Sequence, residues 1–403
     1  MVTVVAGTWL ILWTFLLSIG WSFSIRRNVI HYKIGDKFNV FPNCCYKYGN
    51  SFQSWFQKEY IPSIVSKQHE KIENRKFLVF QPSISLNFEQ KINGLLSSFA
   101  LAIITDRELL IDWPDDMDVL FKSPGWIWKY STLFPQKKWY GHVTFDFVTP
   151  PSFIVPPAHK WRWSDLLQSN VTKTMFHSEK VVMVNIDEFI APLLWANPVY
   201  RQKLCQLTNI DQIYSNFASV LLVFNDKVVK ISKKIQKEVG SSTLISIADS
   251  SLAPLDSLKT MTSTLLRCMG SVDNDQRNWL IVKKGSSFLT NIKWTKVGDH
   301  NVYIFNELEC LKNVKSDLQL ASLFHYSKSA EAILGFTGSK LAESIAFGYN
   351  KSLYMVLHRI PFCSKVAIRL PCVEKWPNIV NSKGIDLSRF MVSEMNNFMH
   401  CQT

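Results

Sequence analysis

Short continuous apolar blocks alternate along this chain with longer runs of helical length. Lys76-Phe77-Leu78-Val79-Phe80 is one such block, compact and rich in aromatic and branched residues, which predicts a buried strand. A loop with Pro82 follows, residues 89–104 are apolar over a helical length, and Glu108-Leu109-Leu110-Ile111-Asp112 is the next block. Strand, helix and strand in that order predict a βαβ unit, whose crossover makes the strands parallel. The order recurs near the C-terminus. Ala330 to Leu334 reads as a strand, Gly335-Phe336-Thr337-Gly338-Ser339 as a turn, residues 340–347 as a helix and Ser352 to Leu357 as a strand. Between the two, Leu221 to Val239 is amphipathic and stops at Gly240, ahead of the strand Thr243-Leu244-Ile245-Ser246-Ile247. Two α/β halves so separated predict two domains with a cleft between them. One large doubly wound domain is the alternative, and the length of roughly 330 residues favours two.

The N-terminus follows another pattern. Val2 to Ile25 carries no charge and ends at Arg26–Arg27. A hydrocarbon core of ~30 Å needs ~20 helical residues, so residues 1–26 are expected to form a membrane anchor. A cleaved signal peptide is the alternative, with Ser22-Phe23-Ser24 a poor cleavage site. The basic residues follow the span, which by charge alone places the rest of the chain in the cytosol. Sequons at Asn170-Val171-Thr172 and Asn350-Lys351-Ser352, and eight cysteines without a CxxC spacing, favour an oxidising lumen instead. Residues 27–75 mix Tyr46, Tyr48, Phe52, Trp55 and Phe56 with Lys, Gln and Ser, a stem leading into an amphipathic helix near 51–68.

Composition narrows the classes. In 403 residues, 47% apolar and 19% charged with only 15 Gly and 16 Pro exclude disordered, collagen-like and low-complexity chains. The net charge of +13 invites a nucleic-acid reading. The surplus is spread thinly, though, in pairs such as Lys137–Lys138, Lys233–Lys234 and Lys283–Lys284, so no nucleic-acid partner is expected. No Gly-x-Ser-x-Gly elbow, HExxH or kinase signature occurs, which removes those hydrolase, zincin and kinase readings. Asp115-Asp116-Met117-Asp118 has the carboxylates for a divalent cation, yet an acidic helix start after Pro114 suits them better, and no metal site is assigned. The turn from Gly335 to Lys340 stands out chemically. Strand, small-residue turn and helix bring backbone N–H groups and a helix dipole to one point, where Ser339 adds a hydroxyl and Lys340 a charge, a cradle for a diphosphate.

Longer blocks resemble a family. Ile92 through Asp112, continuing in Asp116-Met117-Asp118-Val119-Leu120-Phe121 and Pro124-Gly125-Trp126, is similar to the helix and strand beside the nucleotide in the plant-type xyloglucan α-1,2-fucosyltransferases. Asp187-Glu188-Phe189-Ile190-Ala191-Pro192-Leu193-Leu194 with Asn197-Pro198 to Leu204, then Ser327 to Leu357, and the spacing of Cys363 and Cys372 with Pro371, resemble further blocks in the same order, over residues 76–375. The resemblance implies a GT-B fold, two Rossmann-like domains facing across a cleft: an acceptor-side domain at 76–222 and a donor-binding domain at 223–403. It also implies inverting transfer of fucose from GDP-fucose to a hydroxyl of an oligosaccharide or polysaccharide, without an obligatory metal or other cofactor. The setting would be a single-pass Golgi membrane protein whose bulk is lumenal. By position, the donor-binding residues are Lys91, Thr337, Gly338, Ser339 and Lys340. Asp187 takes a general-base or acceptor-orienting role, with a plain surface or capping Asp as the alternative, and Trp126 and Trp128 offer faces for the acceptor sugar, with core packing as the commoner fate of tryptophan. The family's Gly-x-Gly-Asn-Arg is here Asn87-Phe88-Glu89-Gln90-Lys91, and its arginine after the strand at 244–247 is Ala248. Those departures keep a second reading open, a membrane-anchored relative without transferase activity that binds glycan or a partner.

Overall fold

The structure, a computed structural model, describes residues 52–113, 117–135, 142–146, 166–167, 170–174, 176, 179–248, 267–268, 278–284, 296–297, 299–336, 339–356, 363–366 and 370–371. The expected anchor and the first part of the expected stem lie outside them. Among the described residues no helix is long and apolar enough to cross a membrane. Residues 43–403 make one compact unit, built on two sheets.

In the first sheet, β1 (Phe77–Phe80) leads through α1 (Phe88–Thr105) to β2 (Glu108–Ile111), followed by β3 (His142–Asp146) and β4 (Val181–Asn185). The order is β2-β1-β4-β3, every pair parallel. The predicted βαβ unit is present nearly to the residue. β1, β2 and α1 are buried almost throughout, as continuous apolar blocks require in a covered parallel sheet. Gly94 lets α1 lie close: a Cβ there would sit 2.0 Å from the Ile186 carbonyl oxygen and 2.8 Å from the Phe80 ring. Polar clamps fix the N-terminal edge of the sheet. Arg75 donates from Nε and Nη2 to the two carboxylate oxygens of Glu108, both at 2.7 Å. The Arg107 guanidinium donates to the carbonyls of Phe77, Phe176, Glu179 and Lys180.

Residues 52–68 do form the expected amphipathic helix, in segments Phe52–Trp55 and Ile61–Gln68 joined by a π-helical turn at Phe56–Tyr60. They do not stand off as a stem. Tyr60 meets Phe99 of α1 with ring centroids 5.3 Å apart and Trp126 at 5.7 Å, while Phe52 meets Phe217 at 5.6 Å. Aromatic burial of this size binds the segment to the first sheet's core.

After α2 (Ile213–Leu221) comes α3 (Asp226–Val239), ahead of the second sheet. Val228, Ile231, Ile235 and Val239 face inward, and Lys227, Lys230, Lys233, Lys234 and Lys237 are exposed. Asn225 caps it by accepting from the Lys227 N–H at 3.2 Å. Then come β5 (Thr243–Ala248), β6 (Asn278–Lys284), β7 (Lys296–Val297), β8 (His300–Ile304), α4 (Ser316–Tyr326), β9 (Ile333–Phe336), α5 (Lys340–Gly348), β10 (Leu353–Val356) and β11 (Cys363–Lys365). The sheet order is β11-β10-β9-β5-β6-β8-β7. Its five middle strands are parallel and the two edge strands antiparallel. The strand expected at 330–334 begins instead at Ile333 and includes Gly335. A Cβ on Gly335 would lie 2.7 Å from the Ala342 Cβ, so this glycine serves helix–strand contact inside the strand and not the turn. Cys363 is bonded to Cys268, which ties β11 to the segment before β6; Cys372 lies outside the described residues.

Candidate functional site

The chain segments leaving the C-terminal ends of the strands of both sheets come together. In open α/β sheets this edge, where helix N-termini also gather, is where ligands bind. From the first sheet come the start of α1 after β1 and residues 186–190 after β4. From the second come the starts of α4 and of α5, the latter directly after β9. A buried polar knot joins them at the centre of the contact. Asn93 of α1 accepts from Tyr214 OH of α2 at 2.8 Å and from Ser344 Oγ of α5 at 3.3 Å. Burial pushes the Tyr214 phenol above its ordinary range, which keeps it a donor.

Ser339 and Lys340 sit where the sequence puts them. Ser339 caps α5, its Oγ accepting from the Ala342 N–H at 3.5 Å and sharing a hydrogen bond of 2.7 Å with Ser246 Oγ of β5. Lys340 reaches across to the first sheet, its Nζ 3.5 Å from Glu188 Oε1. Asp187 and Glu188 are both buried directly beyond β4. Glu188 thus brings the edge of the first sheet to Lys340 beside Ser339, and Asp187 is its neighbour in the chain. Thr337 and Gly338 fall outside the described residues.

Lys91 is also at the meeting of the halves. It is buried, with its Nζ 5.5 Å from the centroid of the Trp113 ring and 2.9 Å from Asp317 Oδ2 in the first turn of α4. Two lysines expected to meet phosphate therefore each hold a carboxylate from the opposite half. Asn87 to Lys91, standing where the family has Gly-x-Gly-Asn-Arg, is an ordinary helix start. Gln90 Oε1 accepts from the Asn87 N–H at 2.9 Å in a capping box, and Glu89 is buried in the first turn. Ala248 is the last residue of β5.

Trp126 and Trp128 are corrections. They are 4% and 2% exposed, their rings meet edge to face at 6.3 Å, and Trp126 Nε1 donates to the Leu109 carbonyl at 3.2 Å. Neither offers a ring face to an incoming sugar; both are core. Of the possible DxD, Asp118 pairs with Lys129 at the start of a short helix, Met117–Leu120, and Asp115 and Asp116 lie outside the described residues. Asp317, Glu188, Ser246 and Asn93 were not singled out from sequence. Their site contacts are with residues far away in the chain, 226 positions for Asp317 and 152 for Glu188, and only the faint mark of an Asp in a helix's first turn points to Asp317.

No protein-family model matches the chain, and no characterised protein matches it by sequence. Among solved structures it is similar to an arginine-to-lysine mutant of Arabidopsis thaliana FUT1 in complex with GDP, with a TM-score of 0.54 and 13% identity over 80% of this chain and 82% of that one. The chain shares that protein's fold. This bears out the expected α/β class with two parallel sheets of GT-B type. The α-1,6-fucosyltransferase NodZ soaked with GDP-fucose lies further off, at TM-score 0.47 and 12% identity over 72% of this chain and 99% of that one. So does POFUT1 in complex with GDP, at TM-score 0.42 and 10% identity over 71% and 99%.

Proposed function

We propose that this chain is a fucosyltransferase that transfers fucose from GDP-fucose to a hydroxyl of a glycan, with inversion. One observation carries the reading: the C-terminal strand edges and helix starts of two parallel sheets meet around Ser339, Lys340, Lys91 and Asp187, in a fold shared with a protein captured with GDP. A leaving diphosphate needs cations and oriented N–H groups. Lys340 and the first turn of α5 supply these on one side, with Ser339 setting the turn, and Lys91 on the other. Two lysines at helix N-termini give this stabilisation without a metal ion. The acceptor hydroxyl must lose its proton as the new bond forms, and Asp187, beside Glu188, is the group proposed to orient it and take that proton. The finer assignment, kinship with the xyloglucan α-1,2 enzymes, rests on the sequence blocks named above. The setting proposed is a Golgi membrane with the folded part in the lumen, attached through residues 1–26; the bond between Cys268 and Cys363 suits an oxidising compartment.

The test is direct. Full-length protein in detergent, given GDP-fucose labelled in the sugar, should release or transfer labelled fucose, and Lys340→Met should lower the rate by about 10²–10³-fold, as losing one group that stabilises the departing charge does. No turnover with any glycan mixture or with water would remove the enzyme reading. A second reading, an inactive relative that binds glycan or a partner, is favoured by the capped start of α1 and by the carboxylates on both lysines.

A further inference from the structure

Lys91–Asp317 and Lys340–Glu188 have the same construction. In each, a lysine at one helix start is held by a carboxylate from the opposite sheet's half, at 2.9 Å and 3.5 Å. Their surroundings differ. Glu188 is 1% exposed at its side chain and Lys340 13%, whereas Asp317 is 22% exposed against 5% for Lys91. The open side of Asp317 is a pocket of about 480 Å³, with Val119 and Leu120 on its first-sheet wall and Lys227 and Lys315 among its other lining residues. Asp317 therefore both pairs with Lys91 and lines a pocket whose other walls carry two exposed lysines.

We propose that Asp317 and Glu188 are displaceable carboxylates that set the cleft's affinity for anions. A diphosphate entering by this pocket takes Lys91 from Asp317, which turns to Lys227 and Lys315, and then takes Lys340 from Glu188. This rests on reading the cleft as a diphosphate site, and it assigns a specificity role to two residues that the transfer reaction itself does not require. The physics is competition at fixed positions. A buried cation is costly without a counter-charge, so the protein supplies one and the ligand must replace it. Apparent affinity is then the intrinsic affinity scaled by the fraction of molecules in which the lysine is free. Anions carrying a single charge gain too little from one lysine to displace both carboxylates, so the pairs favour ligands with two adjacent phosphates.

The experiment measures binding of inorganic pyrophosphate, GDP and UDP to the full-length chain in detergent, for the wild type, Asp317→Asn and Glu188→Gln. If the lysine is free in about a tenth of molecules, Asp317→Asn tightens pyrophosphate binding about tenfold, and Lys91→Met in the same background cancels the gain. Asp317 is the more exposed carboxylate, so its variant reports even where Glu188→Gln does not fold. Tighter pyrophosphate binding with no preference for GDP over UDP supports the displaceable pairs and counts against GDP-fucose as donor. Unchanged or weaker pyrophosphate binding in a folded Asp317→Asn protein overturns the proposal, even if wild-type protein binds GDP.

Discussion

Gly94 and His325 show how single positions hold the two halves of the molecule. At Gly94 the helix α1 touches the backbone leaving β4, and a methyl group would meet the Ile186 carbonyl at 2.0 Å. Helix propensity alone would favour alanine there by about 1 kcal/mol, but overpacking costs typically 1–3 kcal/mol and backbone has little room to yield. Gly94→Ala is therefore expected to lower the thermal midpoint, and a rise would show that α1 sits further from β4 than described. His325 on α4 shares a 2.9 Å hydrogen bond with Ser232 of α3. Burial, then Lys328 and Lys233, lower its pKa below the ordinary imidazole value. The unfolded chain thus takes up the proton first, near pH 6.5, and stability falls as pH drops from about 7 through that value toward the lower folded one. His325→Gln should flatten the midpoint-against-pH curve below about pH 7; an unchanged slope would contradict it. At this scale the sequence displays chemistry but not partnership. Ser339 and Lys340 could be read from a small-residue turn before a helix, whereas Asp317 acquires meaning only from Lys91, 226 positions away. Trp126 looked like a sugar platform because composition does not tell an exposed ring from a buried one.

Whole elements were the most legible level. The unit from β1 to β2 could be read because strands buried on both faces must be continuously apolar, and α3 because its inward residues recur at helical spacing with lysines outside. The shift of β9 to Ile333 has a physical origin: glycine signals either a turn or a close contact, and Gly335 is the second. β6 and β8 carry polar residues in and beside short apolar runs, Asn278, Lys283 and Lys284 in one and His300 and Asn301 in the other, which hides them from a pattern search. The helical segment at 52–68 reads as stem-like because its aromatics are spaced among Lys, Gln and Ser, yet Phe56 and Tyr60 are buried. A fragment beginning at residue 76 should consequently melt well below one beginning at residue 43, since it strips aromatic cover from Phe99, Trp126 and Phe217. Equal midpoints would return the segment to the status of a stem.

For the molecule as a whole, the net charge of +13 has a definite address in part. Five exposed lysines lie on α3, while the lysines of the cleft are matched by carboxylates. Lys91 and Lys340 thus each carry a counter-charge of their own, which the lysines of α3 at large do not need in water. The shared fold does not decide whether a nucleotide binds; the local residues do. Thermal melting of the full-length chain in detergent with millimolar GDP tests this most directly, because a ligand at a hundred times its dissociation constant stabilises by about 2.7 kcal/mol. The account predicts a rise in midpoint with GDP that exceeds the rise with UDP and disappears in Lys340→Met. No rise with GDP, or an equal rise in Lys340→Met, would contradict it.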